Sequence, residues 1–168
     1  MAPVTAEPVK LYVAPKRLVL LVDDEPVVLA VCEREFEAYP KLLLDACDNV
    51  KDALDKVETI SYDAAILDMA FPDGRHGLEV LRRIRRAEME SYSWRQQLKM
   101  EWLLVGDPQV IPWPLVRTAT FVLTGSMCPI SMALSAQAMG VTEVFDKPVE
   151  FTGGIVQTII ARIQKEFA

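Results

Sequence analysis

Short apolar runs alternate with stripes of helical spacing along most of this sequence. Each run is short enough for a buried strand, and between the runs apolar residues recur every three or four positions. The runs span residues 17–22, 41–47, 64–68, 119–124 and 144–146. Strands and helices in regular alternation predict a parallel sheet with right-handed crossovers, and therefore helices on both of its faces.

Five helices are predicted between and after these strands. Pro26 suits the first turn of the first helix, Asp48 or Asn49 suits the cap of the second, and Gly140 suits the end of the fourth. The predicted helices cover, in order, about 26–39, 50–57, 78–104, 130–139 and 155–167.

The alternation is interrupted between the third helix and the fourth strand. Residues of about 88–117 hold all three tryptophans, and we interpret them as an insertion that continues the helix to about Leu104 and then becomes an irregular loop. So many apolar side chains are too costly to leave exposed as one patch. The insertion is therefore expected to pack back on the domain, to contact another protein, or both.

The composition limits the possible classes of protein. A chain of 168 residues suggests one domain, which we assign to 17–168. Residues 1–16 hold three prolines and are expected to form an extended N-terminal arm. A net charge of −6 argues against a broad nucleic-acid surface, and no apolar stretch is long enough to cross a bilayer. Three scattered cysteines and the absence of a secretory signal predict a cytoplasmic protein with reduced thiols.

Candidate chemistry lies where four of the predicted strands end. The first strand is followed by Asp23 and Asp24, the third ends at Asp68, the fourth at Thr124, and the fifth is followed by Lys147. Parallel strands keep their working residues at the carboxyl edge of the sheet, so these side chains are expected to converge. Three carboxylates favour a divalent cation, while a lysine and a hydroxyl suit a phosphoryl group.

Each of these features also has a plainer interpretation. An Asp-Asp pair taken alone is more often a solvated turn or a helix cap, and Thr124 suits an ordinary strand end. The basic cluster on the third helix is interpreted as its solvated face, with nucleic-acid contact the less favoured alternative. The cluster consists of Arg82, Arg83, Arg85 and Arg86.

Four motifs together resemble the receiver domains of two-component response regulators, and in particular the stand-alone, chemotaxis-regulator-like ones. The motifs are 22–26, 67–72 with Gly77, 123–125 and 145–148, and they follow the family's order along the chain. The resemblance covers Arg17 to Phe167 apart from the insertion. It implies a flavodoxin-like, five-stranded parallel sheet with strand order 2-1-3-4-5.

The resemblance also implies roles for the residues at the strand ends. Asp68 would be the phosphoacceptor, taking its phosphoryl group from a phosphohistidine on a partner kinase. Asp24 and Asp68 would bind Mg²⁺ directly, Asp23 would bind it through water, and the backbone carbonyl of Ala70 would complete the protein's share. Two further groups would bind phosphoryl oxygens: Lys147 and Thr124.

Two departures from the family bear on signalling. Receivers usually carry Tyr or Phe where this chain has Val144, and strand alternation turns Phe145 to the opposite face. The separation between Asp68 and Thr124 is also about twice that expected of a receiver. The usual output surface would offer an apolar patch here, formed by Met132, Ala136, Met139 and Val144.

The sequence therefore predicts a single-domain response regulator that signals by phosphorylation-dependent protein contact. Expected partners are a sensor histidine kinase or phosphotransfer protein and a downstream protein target, and a homodimer is possible. No output domain is expected after Phe167, and no enzyme activity is expected beyond self-phosphorylation and autodephosphorylation. The alternatives are a scaffold or adaptor that acts independently of phosphorylation, and a Mg²⁺-dependent phosphohydrolase, which lacks a second acid for general acid work.

Overall fold

Five strands alternate with five helices in the part of the chain that the structure describes. This computed structural model describes residues 16–105, 118–125, 130–148 and 151–167, with 92–105 described through the backbone alone. The elements, in chain order, are β1 (Arg17–Val22), α1 (Pro26–Glu37), β2 (Leu42–Cys47), α2 (Val50–Thr59), β3 (Ala64–Asp68), α3 (Gly77–Val105), β4 (Ala119–Thr124), α4 (Ile130–Ala138), β5 (Glu143–Asp146) and α5 (Gly153–Glu166).

The strands form one parallel sheet in the order β2-β1-β3-β4-β5, as predicted. The register aligns the carboxyl ends of the strands. Val22 pairs with Leu67, and Asp68 pairs with Leu123. Residues that follow these pairs therefore emerge at one edge of the sheet, where the sequence analysis placed the candidate chemistry.

Two hydrophobic cores cover the two faces of the sheet. One core joins the sheet to α2, α3 and α4, and the other joins it to α1 and α5. Alternate residues of each strand enter opposite cores: in β1, Leu20 and Val22 enter the first, whereas Val19 and Leu21 enter the second. Burial on both faces explains why the strands read as continuous apolar runs.

The helix ends follow the predicted local chemistry. Pro26 begins α1, and the side chain of Asn49 caps α2 by accepting a hydrogen bond from the Asp52 backbone N–H at 2.8 Å. Gly140, with φ of 68°, follows the end of α4 in the left-handed conformation that glycine tolerates best. The helix boundaries at these points are therefore set by single residues.

The third helix is the longest element. It runs for 29 residues to Val105, which confirms the predicted helical extension to within one residue. At 1.5 Å per residue it is roughly 43 Å long. The rest of the predicted insertion, 106–117, and the predicted arm up to residue 15 lie outside the described residues, as do the side chains of Trp94 and Trp102. None of the helices in the described ranges has the length and hydrophobicity that a membrane span requires.

Arg85 is only slightly exposed, contrary to the prediction that it lies on a solvated face. Its side chain is 11% exposed, and its guanidinium reaches the turn after α4. Nε donates to the carbonyl of Met139 at 2.9 Å, and one Nη donates to the carbonyl of Gly140 at 3.1 Å and to Thr120 Oγ1 at 2.9 Å. Three elements thus meet at one cation. Arg82 and Arg86 are exposed, as predicted.

Glu88, one turn along α3, completes this cluster. Both of its carboxylate oxygens accept from the other Nη of Arg85, at 2.9 and 3.0 Å. One of them also accepts from the backbone N–H of Thr118 at 2.6 Å. The Arg85–Glu88 pair therefore fixes the start of β4 against α3 with every polar group satisfied, which is the condition under which a buried ion pair is tolerated.

We expect Arg85→Ala to lower the free energy of unfolding by about 2–4 kcal/mol, because it removes the countercharge of the part-buried Glu88 and the hydrogen bonds that join α3 to β4 and to the turn after α4. Urea denaturation at neutral pH measures the change. Arg82→Ala, on the exposed side of the same helix, is the matched control and should change stability by less than about 0.5 kcal/mol. Equal effects of the two substitutions would contradict the role given to Arg85.

Candidate functional site

Three carboxylates meet at the carboxyl edge of the sheet. Asp23, Asp24 and Asp68 each offer an oxygen atom within 4.8 Å of the others. Asp23 is fully buried, Asp68 is 4% exposed, and Asp24 is half-buried. The structure thus brings together the acids that the sequence analysis selected.

Strand periodicity explains why two of these acids point the same way. Leu21 and Ile66 enter the core on the side of α1 and α5, and Asp23 and Asp68 follow two residues later with the same parity. Backbone donors then fix both carboxylates. Asp23 Oδ1 accepts from the N–H of Glu25 at 2.9 Å, and Asp68 Oδ1 accepts from the N–H of Met69 at 2.7 Å.

Lys147 neutralises part of this negative charge. Its side chain is 6% exposed, and its Nζ lies 2.8 Å from Asp23 Oδ2 and 3.2 Å from Asp68 Oδ2. A third carboxylate, Glu25, places Oε1 2.8 Å from the same nitrogen. The backbone N–H of Lys147 donates to the carbonyl of Thr124 at 2.7 Å, which holds the lysine at the edge of the sheet. Glu25 was not among the predicted site residues.

The pKa values reflect a balance between burial and pairing. Burial raises the pKa of Asp23 from 3.8 to about 6, against the lowering effect of the hydrogen bonds from Lys147 and from the Glu25 backbone. Burial likewise raises the pKa of Asp68, although the charge of Lys147 opposes it. For Lys147, burial acts to lower the pKa, but the hydrogen bonds to Asp23 and Glu25 outweigh it and the pKa is raised. The lysine is therefore charged at neutral pH.

The residues present fit a hard divalent cation. Asp23 Oδ2 is buried and accepts no hydrogen bond; Lys147 Nζ lies 2.8 Å from it and donates to Oδ1 of the same carboxylate at 3.0 Å. A buried carboxylate oxygen in this state has unused capacity to coordinate a metal. With the oxygens of Asp24 and Asp68 it offers the incomplete set of oxygen ligands, completed by waters, that Mg²⁺ prefers.

Gly77 allows α3 to begin directly against the end of β3. A Cβ atom at this position would lie 2.0 Å from the backbone oxygen of Asp68, far inside van der Waals contact. Any side chain here would push the helix away from Asp68 or displace the strand. The loop from Met69 to His76 therefore ends at a glycine that packs against the last residue of β3.

Thr124 lies at the same edge but its hydroxyl points elsewhere. Its Oγ1 is 3.3 Å from the carbonyl of Phe145 and 3.2 Å from Asp146 Oδ1, and it donates toward these acceptors on β5. Its parity is that of Val122, which enters the core opposite to the one that Asp68 follows. In this structure the Thr124 hydroxyl is therefore engaged by β5.

The predicted output face is only partly accessible. Ala136 is completely buried and cannot contribute to a surface patch, while Met132, Met139 and Val144 are half-buried and pack against the core. Positions 132, 136 and 139 form the inner stripe of α4 at helical spacing. The apolar side chains that α4 exposes are Ile130, at 80%, and Leu134, at 60%.

The two residues before Asp146 lie on opposite faces of β5, as predicted. Phe145 enters the core with α1 and α5, and its ring centroid is 6.4 Å from that of Phe121. Val144 packs on the side of α4. The position that carries an aromatic ring in most receivers is thus occupied by a short β-branched side chain.

Comparisons with known proteins find the same fold, and a family model matches part of the chain. Residues 19–93 match the model of the response regulator receiver domain. No curated protein matches the chain.

Three solved structures illustrate the likeness. The signal receiver domain of a putative Luxo repressor protein from Vibrio parahaemolyticus is 18% identical, with a TM-score of 0.58 over 90% of this chain and 92% of that one. A CheY-like receiver domain protein from Methanospirillum hungatei is 16% identical, with a TM-score of 0.60 over 90% and 96%. The BeF3-activated DrrB receiver domain of Thermotoga maritima is 16% identical, with a TM-score of 0.60 over 89% and 98%. The TM-scores show that the fold is shared. Together with the family model that matches residues 19–93, they confirm the resemblance to receiver domains.

The raised pKa of Asp23 predicts how stability depends on pH. Because the folded chain holds this proton more tightly, the contribution of Asp23 is full below pH 3.8 and is lost as pH rises through about 6. Between pH 4.5 and 7.5, with EDTA present, wild type should therefore lose about 2–3 kcal/mol relative to Asp23→Asn. Urea denaturation across this range measures the difference. Asp73→Asn, an exposed loop carboxylate, is the control and should follow wild type; parallel profiles for Asp23→Asn and wild type would contradict the prediction.

Proposed function

We propose that this chain, a receiver domain by its fold and by the family match of residues 19–93, accepts a phosphoryl group on Asp68 and signals through protein contacts that depend on it. The observation that supports this most strongly is the position of Lys147. Its buried ammonium lies 3.2 Å from Asp68 Oδ2, beside two further acids. A nucleophilic carboxylate, a cation for the incoming oxygens and a candidate metal site thus occupy one pocket.

The geometry favours attack by Asp68 on a phosphoryl donor. Asp68 Oδ1 is held by the backbone N–H of Met69, which fixes the orientation of the carboxylate. A bond forms between a carboxylate oxygen and phosphorus, and the bond from phosphorus to the donor nitrogen of a phosphohistidine breaks. Charge on the equatorial oxygens is stabilised by Lys147, which is already placed beside the acceptor and needs no large movement.

Mg²⁺ is the cation we propose for the acidic pocket. Asp23, Asp24 and Asp68 would hold it together with the backbone carbonyl of Ala70, in the loop after β3. When bound, it supplies positive charge that offsets both the carboxylates and the phosphoryl oxygens. The part of Asp23 and Asp24 is to hold that charge next to Asp68.

The signal is proposed to leave the site through Thr124 and α4. In the unphosphorylated chain, the Thr124 hydroxyl is engaged by acceptors on β5, and a phosphoryl group on Asp68 offers it a stronger, charged acceptor. We propose a sensor kinase or phosphotransfer protein upstream and a protein target downstream. Ile130 and Leu134 on α4 are exposed apolar side chains suited to such a contact. Activity on an external substrate is not part of this proposal.

One observation favours the alternative of a scaffold that acts independently of phosphorylation. Val144 lacks the ring that moves inward in most receivers, and it is already half-buried against the core. A small side chain that already packs against the core is a poor mechanical link between Asp68 and an output face. A scaffold that acts independently of phosphorylation does not require an acidic pocket with a buried lysine. The phosphorylation switch is therefore preferred.

Intact mass spectrometry after incubation with acetyl phosphate and Mg²⁺ tests the proposal directly. Wild type should gain the mass of one phosphoryl group, and Asp68→Asn should gain none because the nucleophile is removed. Asp73→Asn, which makes the same chemical change in an exposed loop, should behave as wild type.

The other outcomes separate the alternatives. If wild type acquires no phosphoryl group and releases no phosphate, the scaffold is favoured. If it acquires no phosphoryl group but releases phosphate steadily at high turnover, a phosphohydrolase is favoured. If the mass increase persists in Asp68→Asn, a residue other than Asp68 is the phosphoacceptor.

Mg²⁺ binding can be measured separately from phosphorylation. Because the cation binds the folded chain, Mg²⁺ at 100 times its dissociation constant should raise the free energy of unfolding by about 2.7 kcal/mol. Asp24→Asn should lose most of this gain, since it removes one ligand and leaves the Lys147 ion pairs in place. Urea denaturation with MgCl₂, against NaCl at equal ionic strength, gives the measurement. An equal gain in both proteins would exclude Asp24 as a ligand.

A further inference from the structure

We propose that Glu25 is a positioning residue that holds the Lys147 ammonium in the unphosphorylated chain and thereby slows phosphoryl transfer to Asp68. This inference rests on the proposed function, since it concerns the rate at which the same site is filled. It depends on the contacts of the ammonium, on the exposure of its three partners, and on the net charge of the pocket.

The ammonium of Lys147 is already engaged: it donates to Asp23 Oδ1 at 3.0 Å and to Asp68 Oδ2 at 3.2 Å, and it forms an ion pair with Glu25. An ammonium carries three N–H groups. Three carboxylates surround this one: Asp23 at 2.8 Å, Glu25 at 2.8 Å and Asp68 at 3.2 Å. A phosphoryl oxygen that arrives beside Asp68 therefore competes with these carboxylates for the ammonium.

Glu25 is the carboxylate that can leave at the lowest cost. Asp23 is fully buried and also accepts from the backbone N–H of Glu25 at 2.9 Å, so its position is fixed twice. Asp68 is the acceptor itself. The side chain of Glu25 is 58% exposed and makes no capping hydrogen bond at the start of α1. It can therefore move into water without an unpaired buried charge being left behind.

Glu25 also adds to the repulsion that an anionic donor meets. The pocket holds four acids and one ammonium, so it carries net negative charge when the acids are ionised and no metal is bound. The acids are Asp23, Asp24, Asp68 and Glu25. Of these four acids, Glu25 is the one that is exposed to solvent. Its charge is exposed, so its effect on the rate of entry is expected to be screened by salt.

The test compares the rate of phosphorylation of charge variants. Purified full chain is incubated with acetyl phosphate at saturating Mg²⁺, and the adduct is followed by intact mass. Glu25→Gln keeps the size of the side chain and removes its charge, and it should be phosphorylated about three to ten times faster than wild type at low salt. Glu25→Ala should be at least as fast. Glu37→Gln, an exposed residue at the far end of α1, is the matched control and should keep the wild-type rate.

Salt dependence distinguishes this role from a structural one. The ratio of the Glu25→Gln rate to the wild-type rate should shrink as ionic strength rises from roughly 0.05 to 0.5 M, because the Debye length falls several-fold. A substitution that merely loosened the fold would move the urea midpoint and would give a ratio that is insensitive to salt.

The outcomes also separate this inference from the proposed function. Wild-type protein that is phosphorylated at the same rate as Glu25→Gln, or faster, overturns the role of Glu25 and leaves the function standing. Wild-type protein that never acquires a phosphoryl group overturns both.

Discussion

The site depends on one buried ammonium surrounded by carboxylates. Without Lys147, Asp23 and Asp68 would face each other at the end of adjacent strands with no countercharge, and burial already raises the pKa of both. The sheet order places β4 between β3 and β5, so a residue after β5 must reach across a strand to contact Asp68. The four-carbon stem of lysine makes that reach, and neighbouring strands lie about 4.8 Å apart. Residues far apart in the chain are thus held together by a charge that no shorter side chain could deliver.

Much of this arrangement could be predicted from the sequence, because it follows from two regularities. Strand and helix periodicities gave the order of the elements, and parallel strands bring their carboxyl ends to one edge. Alternation of side chains along a strand also carries information on orientation. It places the Thr124 side chain on the side of Val122, away from the side of Asp68. The position of Thr124 was therefore predicted correctly, and its orientation was not considered.

The errors and omissions share a different cause, since each concerns a contact that periodicity does not encode. Arg85 lies in a run of arginines that looks uniform in one dimension, yet it alone meets the carbonyls of Met139 and Gly140, which come from another part of the chain. In α4, apolar side chains occur all around the helix, so the stripe containing Ala136 could be taken for the outer face. Glu25 lies directly before α1, and its contact with Lys147 depends on the distant end of β5.

The pocket is electrostatically unfavourable in a way that suits its proposed chemistry. A fully buried carboxylate with a pKa of about 6 and an oxygen that accepts no hydrogen bond is a local cost, and two well-packed cores on either side of the sheet offset it. Replacing the acids with apolar residues would relieve that cost, but it would also remove every group able to hold a cation or a phosphoryl oxygen. Proteins commonly violate the rules of stable packing at the residues that act, and keep them elsewhere. Here the violation is confined to the ends of β1 and β3, where proton, metal and lysine compete for the same oxygens.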